Sequence, residues 1–355
     1  MQTAPHPQAE LLAADPDGWS FWAWEISLTL LHPWTTARDT CHSKRNLVVA
    51  VCRDGITGLG EAPPLPRYDE TPEGCMEAAR SLAGACLSMP VWGHRQFLRR
   101  REAVTGYLAA KSAVDAAILD WHGKKAGLPL HALLGLSGGT LPLTSYSIGI
   151  DTPDMVEQKI IEAAPYPILK VKLGGEHDRE IMTRISALTD KPIRVDANEG
   201  WKNADEALSM IRFLEDMNVV MVEQPLPAKF LEDMRWLRDK TRLALIADES
   251  TYVIQDLTRL RGAFDGINIK LSKAGGPQAA LDKIIIGKSL GMKIMIGCMI
   301  ESSLGITMAA QLASLADYLD LDGNLLITDD PFVGVTVVDG QPILPAGPGL
   351  GVRNR

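Results

Sequence analysis

The chain has 355 residues, of which 46% are hydrophobic and 23% charged, and its formal net charge is −8. That length holds one large domain, or a large domain with a smaller partner, and the composition is ordinary for a soluble globular protein. The acidic balance leaves no basic field to attract nucleic acid or an anionic membrane, so a small-molecule ligand is favoured.

The five cysteines, Cys41, Cys52, Cys75, Cys86 and Cys298, are odd in number and lie in no metal-like spacing, as expected of free thiols in a reducing compartment. Met1 to Asp17 carries proline and acidic residues and does not read as a signal peptide. No stretch approaches the roughly 20 apolar residues of a membrane helix, so a cytoplasmic location is expected.

In chain order, Phe21 to Leu31 alternates apolar and polar residues, and Asn46 to Cys52 is rich in β-branched ones. Both predict strands, and Asp54-Gly55 predicts a hairpin turn between Cys52 and Thr57. Gly58-Leu59-Gly60-Glu61 resembles a fragment of a dinucleotide fingerprint. Pro63, Pro64 and Pro66 forbid the helix that motif needs, so the stretch reads as a loop. Helical patterns follow at about Thr71 to Leu87 and Tyr107 to Lys125. The second carries Ala110, Val114, Ala117, Ile118 and Trp121 on one stripe and stops at Gly127 and Pro129. Strands followed by helices predict an α+β unit.

From about Leu141 short apolar strands alternate with helical segments. The strand candidates are Leu143–Ile150, Ile168–Leu173, Pro192–Asp196, Val219–Glu223, Leu243–Asp248, Gly266–Leu271, Met292–Gly297 and Tyr318–Asp320. Eight units at a spacing of roughly 25 residues favour a closed (β/α) barrel over an open sheet. The tail from Pro331 to Arg355, with a short Gly334–Val338 strand, is expected to return to the first unit.

In a barrel, side chains at the C-terminal strand ends line the active site. Those ends carry Lys170 and Lys172, then Asp196, Glu223, Asp248 and Lys270, and finally Asp320 and Asp322. Three carboxylates from successive apolar strands suit Mg²⁺, a hard cation that takes oxygen ligands, and unpaired they would be costly to bury. Lys172 and Lys270 fall on the second and sixth strands, on opposite sides of a closed barrel. Amines so placed can remove a proton from one face of a carbon and deliver one to the other. A free lysine titrates near ~10.4 and a useful base nearer ~7–8, so like charge from Lys170 and a divalent cation is expected to lower it.

Lys170-Val-Lys172, Val195-Asp196-Ala-Asn-Glu-Gly-Trp201, Val222-Glu223-Gln-Pro225, Ala247-Asp248-Glu-Ser250 and Asn268-Ile-Lys270-Leu-Ser-Lys-Ala-Gly-Gly276 resemble the enolase superfamily, in its muconate-lactonizing subgroup. The resemblance runs from about Trp34 to Val352. It implies an α/β fold, a modified (β/α)₇β TIM-like barrel with an α+β capping domain built from the N-terminal part and the C-terminal tail. The corresponding boundaries are 1–137 for the cap, with residues 1–17 open to disorder, 138–330 for the barrel, and 331–355 for the returning segment. It also implies Asp196, Glu223 and Asp248 as Mg²⁺ ligands, Lys172 and Lys270 as the acid/base pair, and Lys170 as neutralising the substrate carboxylate.

Asp320-Leu-Asp322 is similar to the Asp-x-Asp with which dipeptide epimerases hold a dipeptide's ammonium. That resemblance implies epimerisation of a dipeptide, with L-Ala-D/L-Glu from murein peptide recycling as leading substrate. Epimerisation of another dipeptide class, a cycloisomerase and an o-succinylbenzoate synthase-like dehydratase remain as alternatives. Ser147 and Glu301-Ser302 are further candidate lining residues. In enzymes acting on L-Ala-D/L-Glu a cap-loop arginine meets the glutamate carboxylate, but here Asp39 stands where it is expected. Arg38 beside it, Arg67, Lys44 and Arg45 are the substitutes on offer. The expected partner is a small dipeptide, with neither nucleic acid nor membrane, and the chain is expected to be a homo-oligomer.

Overall fold

The alternating residues before position 62 form one antiparallel sheet in a computed structural model that describes residues 4–15, 18–252 and 257–355. Its strands are β1 (Glu10–Ala14), β2 (Ser20–Thr35), β3 (Thr40–Arg53) and β4 (Ile56–Ala62), hydrogen-bonded in that order. Asp54 and Gly55, at φ of 52° and 74°, make the expected turn between β3 and β4. β1 pairs with β2 from Glu10↔Ala23 onward, so this part of the 1–17 stretch is ordered; residues 1–3, 16 and 17 lie outside the described residues.

The Gly58–Glu61 stretch corrects the sequence reading, because it is not a loop but the middle of β4, paired with β3. Its glycines serve packing: a Cβ at Gly58 or Gly60 would stand 2.1 Å from the carbonyl oxygen of Ala117 or Ala113. Only strand backbone without side chains admits the helix this closely.

That helix is α3 (Leu108–Ala126), which follows α1 (Pro72–Cys86) and the unforeseen α2 (His94–Arg100). Thr71 caps α1 by accepting the Gly74 N–H at 3.0 Å, with proline in the first turn. α3 ends at Gly127 in the left-handed region, φ 69°. The predicted stripe describes only one side of α3. Val114 and Trp121 face the cap core, while Ala116 and Leu119 join the core of the barrel, so every residue from Ala109 to Gly123 is buried. A helix packed on both sides has no solvent face, and its polar residues Lys111, Ser112, Asp115, Asp120 and His122 are buried with the rest.

After the single turn α4 (Leu130–Leu133) come eight parallel strands in chain order: β5 (Tyr146–Ile148), β6 (Leu169–Lys172), β7 (Ile193–Asp196), β8 (Val219–Glu223), β9 (Ala244–Ala247), β10 (Gly266–Lys270), β11 (Lys293–Gly297) and β12 (Tyr318–Asp320). A parallel bridge between Thr144 and Leu319 joins the last strand to the first and closes the ring. The crossovers carry α5 (Pro153–Glu162), α6 (Asp178–Leu188), α7 (Ala204–Leu214), α8 (Leu231–Arg238), α9 (Leu257–Leu260), α10 (Leu271–Ala274) with α11 (Pro277–Ser289), and α12 (Ser303–Ala310). Eight strands with seven crossovers make a (β/α)₇β barrel.

The tail adds β13 (Phe332–Val333) and a hairpin of β14 (Thr336–Val338) with β15 (Gln341–Ile343), followed by β16 (Arg353–Asn354), which pairs with β13. Between β15 and β16 the chain touches the cap, where Leu350 donates its N–H to Asp120 at 2.7 Å and Gly349 exchanges backbone hydrogen bonds with Leu128 and Leu130. No helix among the described residues is long and apolar enough to cross a membrane.

Candidate active site

Strand alternation directs Lys170 and Lys172 of β6 into the barrel, and parallel register sets their neighbours beside them: Lys172 pairs with Asp196, and Asp196 with Glu223. Asp248 follows the last residue of β9, and Lys270 ends β10. Four inter-strand steps separate β6 from β10 in the eight-stranded ring, so Lys172 and Lys270 rise from opposite walls. Asp196 and Glu223 are fully buried, and Lys172, Asp248 and Lys270 are buried while lining one cavity of about 730 Å³. That is ample for a small substrate.

A chain of ion pairs joins these groups. Lys172 Nζ stands 2.6 Å from Asp196 Oδ2, and Lys270 Nζ 3.1 Å from Asp248 Oδ2. Lys170 Nζ lies 2.6 Å from Asp320 Oδ2, 2.7 Å from Glu223 Oε2 and 3.1 Å from Asp196 Oδ2. It is wholly buried beneath the cavity rather than in its wall. Lys273, a residue the strand-end reading passed over, donates to the carbonyl of Asp248 at 2.6 Å and also contacts its carboxylate. It stands one helical turn past Lys270, on α10, where an i, i+3 spacing was the only signal.

The charges work against one another. Burial pushes the Asp196 carboxyl up, but Lys172 and Lys170 overcome it and hold the group well below the carboxylate range. Asp248 is likewise held low against burial by Lys270 and Lys273. Glu223 goes the other way, to about 7, through burial and then the charge of Asp196. Burial pulls Lys270 down, yet Asp248 and Glu223 more than reverse it and leave the ammonium above its ordinary range. The expected lowering called on a divalent cation as well as Lys170; among the protein's own groups Lys170 does lower Lys270, and the surrounding carboxylates count for more.

Among the described residues no three carboxylate, imidazole or thiol groups already surround one ion position. The donor set nevertheless fits a hard cation. Asp196 and Glu223 converge on a single positive atom, Lys170 Nζ, and Glu223 Oε2 there lies outside hydrogen-bond geometry. Asn268 fixes the other Glu223 oxygen at 2.8 Å, Asn198 donates its N–H to Asp196 at 3.0 Å, and Gln224 receives the Asp248 N–H at 3.0 Å. Asn198, Glu199 and Gln224 all have positive φ, at 44°, 66° and 37°, a strained backbone that the strand ends impose around this cluster.

Asp320 and Asp322 line the cavity at the end of β12. Ser145 Oγ donates to Asp320 Oδ1 at 2.9 Å, and the Ser147 N–H donates to Asp322 Oδ2 at 2.6 Å. Lys170 overcomes burial to hold Asp320 low, whereas burial and the neighbouring Asp320 charge raise Asp322 to about 7. Ser147 lines the cavity as expected; Glu301 does not. Its carboxylate turns back to accept the Met299 N–H at 2.9 Å, and burial with the Glu61 charge raises it to about 8. Ser302 is likewise spent on Glu61, to which its N–H donates at 3.0 Å.

Arg38 and Arg67 reach the cavity from the cap but are already engaged. Both meet Glu199 Oε2, at 3.3 and 2.6 Å, and Arg38 also meets Glu249 at 2.6 Å. Glu199 and Glu249 were missed because each follows closely on a strand-end acid of greater apparent importance.

A capped (β/α)₇β barrel with lysines on opposite walls and three acids on successive strands defines an enzyme class built for proton transfer. The chain belongs to the mandelate racemase/muconate lactonizing enzyme family: the family's N-terminal domain matches residues 25–135, and the enolase C-terminal domain-like model matches 154–355. It is 40% identical over 94% of its length to an L-Ala-D/L-Glu epimerase of Bacteroides thetaiotaomicron, covering 87% of that protein. It is 39% identical, over 94% of its length and 98% of the relative's, to an L-Ala-D/L-amino acid epimerase of Pedosphaera parvula. Its fold matches a dipeptide epimerase of Cytophaga hutchinsonii, solved with Mg and D-Ala-L-Val, at a TM-score of 0.90 and 28% identity over 95% of this chain and 96% of that one.

Proposed function

We propose that this protein is a Mg²⁺-dependent dipeptide epimerase that inverts the α-carbon of the C-terminal residue, with L-Ala-D/L-Glu as the leading substrate. The observation that carries this reading is the placement of Lys172 and Lys270 on opposite walls, either side of three buried carboxylates. Asp196, Glu223 and Asp248 would hold the cation. Bound there, it supplies positive charge that stabilises the enediolate formed when a carboxylate's α-proton leaves.

The side chains do the rest. One lysine, neutral, takes the α-proton from one face, and the other, as ammonium, returns a proton to the opposite face, which inverts the centre. Lys170, in contact with both Asp196 and Glu223, keeps positive charge beneath the substrate carboxylate. Asp320 and Asp322 receive the dipeptide ammonium from the side of β12, a charge-assisted contact that fixes the substrate lengthwise. The relatives in Bacteroides and Pedosphaera support a dipeptide with N-terminal L-alanine and leave the second residue open between glutamate and other amino acids.

The test is incubation with L-Ala-L-Glu and Mg²⁺ in D₂O. One deuterium should enter the glutamate α-position and the L-D diastereomer should accumulate, and chelation should stop both. Absence of exchange across a broad dipeptide panel would end the proposal.

A further inference from the structure

The cap must read the second side chain of the proposed substrate. With the α-carboxylate at the floor and the peptide directed toward β12, the remaining substituent on the α-carbon points out of the barrel mouth, toward the loops and strand ends of the cap. The question is which cap group meets an acidic side chain when Asp39 occupies the place where an arginine was expected.

The cations around the cavity answer by elimination. Lys172, Lys270 and Lys273 are committed to Asp196 and Asp248. Arg38 and Arg67 are neutralised by Glu199 and Glu249. Arg45 is held between Glu25 and Glu73, which its place on β3 puts across the sheet surface. Lys44 also lines the cavity, is half-buried, and among the described residues has no ion pair or hydrogen bond. It shares its strand face with Asn46, two residues on, and Asn46 Nδ2 donates to the Ile300 carbonyl in the cavity wall after β11. The Lys44 side chain therefore leaves β3 on the side that faces the barrel mouth.

We infer that Lys44 is the residue that selects an acidic second side chain, its ammonium meeting the distal carboxylate of the epimerised residue. Arg38 and Arg67 do not take this role, since either would have to abandon a carboxylate to do so. This inference rests on the proposed dipeptide epimerisation and adds to it a specificity determinant on β3. A partly desolvated lysine without a counter-ion favours a ligand whose anion completes the pair, and disfavours a neutral isostere that leaves it unpaired.

The experiment compares L-Ala-L-Glu with its neutral isostere L-Ala-L-Gln, using α-deuterium incorporation to obtain kcat/KM for each. The wild-type protein should favour the glutamate dipeptide. Lys44→Met should lower the Glu/Gln ratio by about 10- to 100-fold, chiefly through KM, and Lys44→Arg should retain most of it. An independent reading needs no variant: raising ionic strength from ~0.05 to ~0.5 M should raise KM for L-Ala-L-Glu more than for L-Ala-L-Gln. A Lys44→Met ratio within about twofold of wild type, or a wild-type enzyme that prefers the glutamine dipeptide, would overturn Lys44 as the selector and leave epimerisation standing. A wild-type protein that exchanges no dipeptide overturns both.

Discussion

Lysine at position 172 has two neighbours that decide what its loss would do: Asp196 at 2.6 Å and the Trp34 ring, whose centroid is 6.0 Å from Nζ. Asp196 keeps Lys170 at 3.1 Å when Lys172 is removed, so the buried carboxylate is not stranded. Lys172→Ala should therefore leave the fold and Mg²⁺ affinity largely intact while reducing α-deuterium exchange by about 10²- to 10⁴-fold, the usual worth of a positioned acid or base. Isothermal titration with Mg²⁺ alongside exchange kinetics separates the two. A second residue-scale consequence concerns Asp322. Raised to about 7, it is mostly neutral below that pH and anionic above it, and only the anion attracts the dipeptide ammonium. KM should accordingly rise as pH falls, by about 3- to 10-fold between pH ~7.5 and ~6, with kcat less affected. Above about pH 8 the ammonium itself loses its proton, so KM should pass through a minimum between ~7 and ~8. At this scale the sequence was informative wherever a charged residue ended an apolar strand, because such a residue has no structural reason to be there. It was silent where acid followed acid, as at Glu199 and Glu249. It misplaced Glu301 for a different reason: a residue just past a strand end can turn either way, and the Met299 N–H draws this one backward.

The elements were legible in proportion to how far local pattern alone determines them. The barrel strands are short apolar runs between amphipathic helices, and all eight were anticipated within a few residues of their observed ends. β4 was anticipated only at its hairpin start, because the glycines in its middle are chosen by a helix more than fifty residues later in the chain. Gly58 and Gly60 read locally as loop, and become strand only because Ala113 and Ala117 of α3 press on them. α3 shows the same effect from the other side, since both the cap sheet and the barrel pack against it and bury its polar residues Lys111, Ser112, Asp115, Asp120 and His122 along with its apolar ones. Gly60→Ala tests this coupling. Its new Cβ would fall 2.1 Å from the Ala113 oxygen, backbone that cannot yield without moving α3. Unfolding in urea should show a loss of about 1–3 kcal/mol, the ordinary range for overpacking a close-packed core. Gly84→Ala, on α1 where a Cβ meets nothing within 4 Å, should be neutral or stabilising by comparison.

For the molecule as a whole, the contact that matters most to function is the one between cap and barrel over the cavity. Glu199, on the loop after β7, binds Arg38 from the β2–β3 connection and Arg67 from the loop after β4, and its other oxygen receives the Ala228 N–H at 2.9 Å. One carboxylate thus ties two cap loops to two barrel loops. Arg38 adds Glu249, beside the candidate metal ligand Asp248, so the position of the cap and the geometry of the acids are linked through a few charged atoms. The two arginine side chains are more than a third exposed, at 38% and 44%, so solvent screens each pair and their individual worth to stability is small. Their worth to catalysis is larger, because a mouth that opens admits water and loosens the wall that reads the substrate. Glu199→Gln keeps the hydrogen bond to Ala228 and removes the charge. It should leave the unfolding midpoint within a few degrees of wild type, while KM for the dipeptide rises by about 3- to 10-fold and the cap loops become more open to protease. Should KM and loop protection both stay at wild-type values, the arginines would be bystanders at the rim and the cap would have to be held over the barrel by the shared apolar core around Ala116 and Leu119 alone.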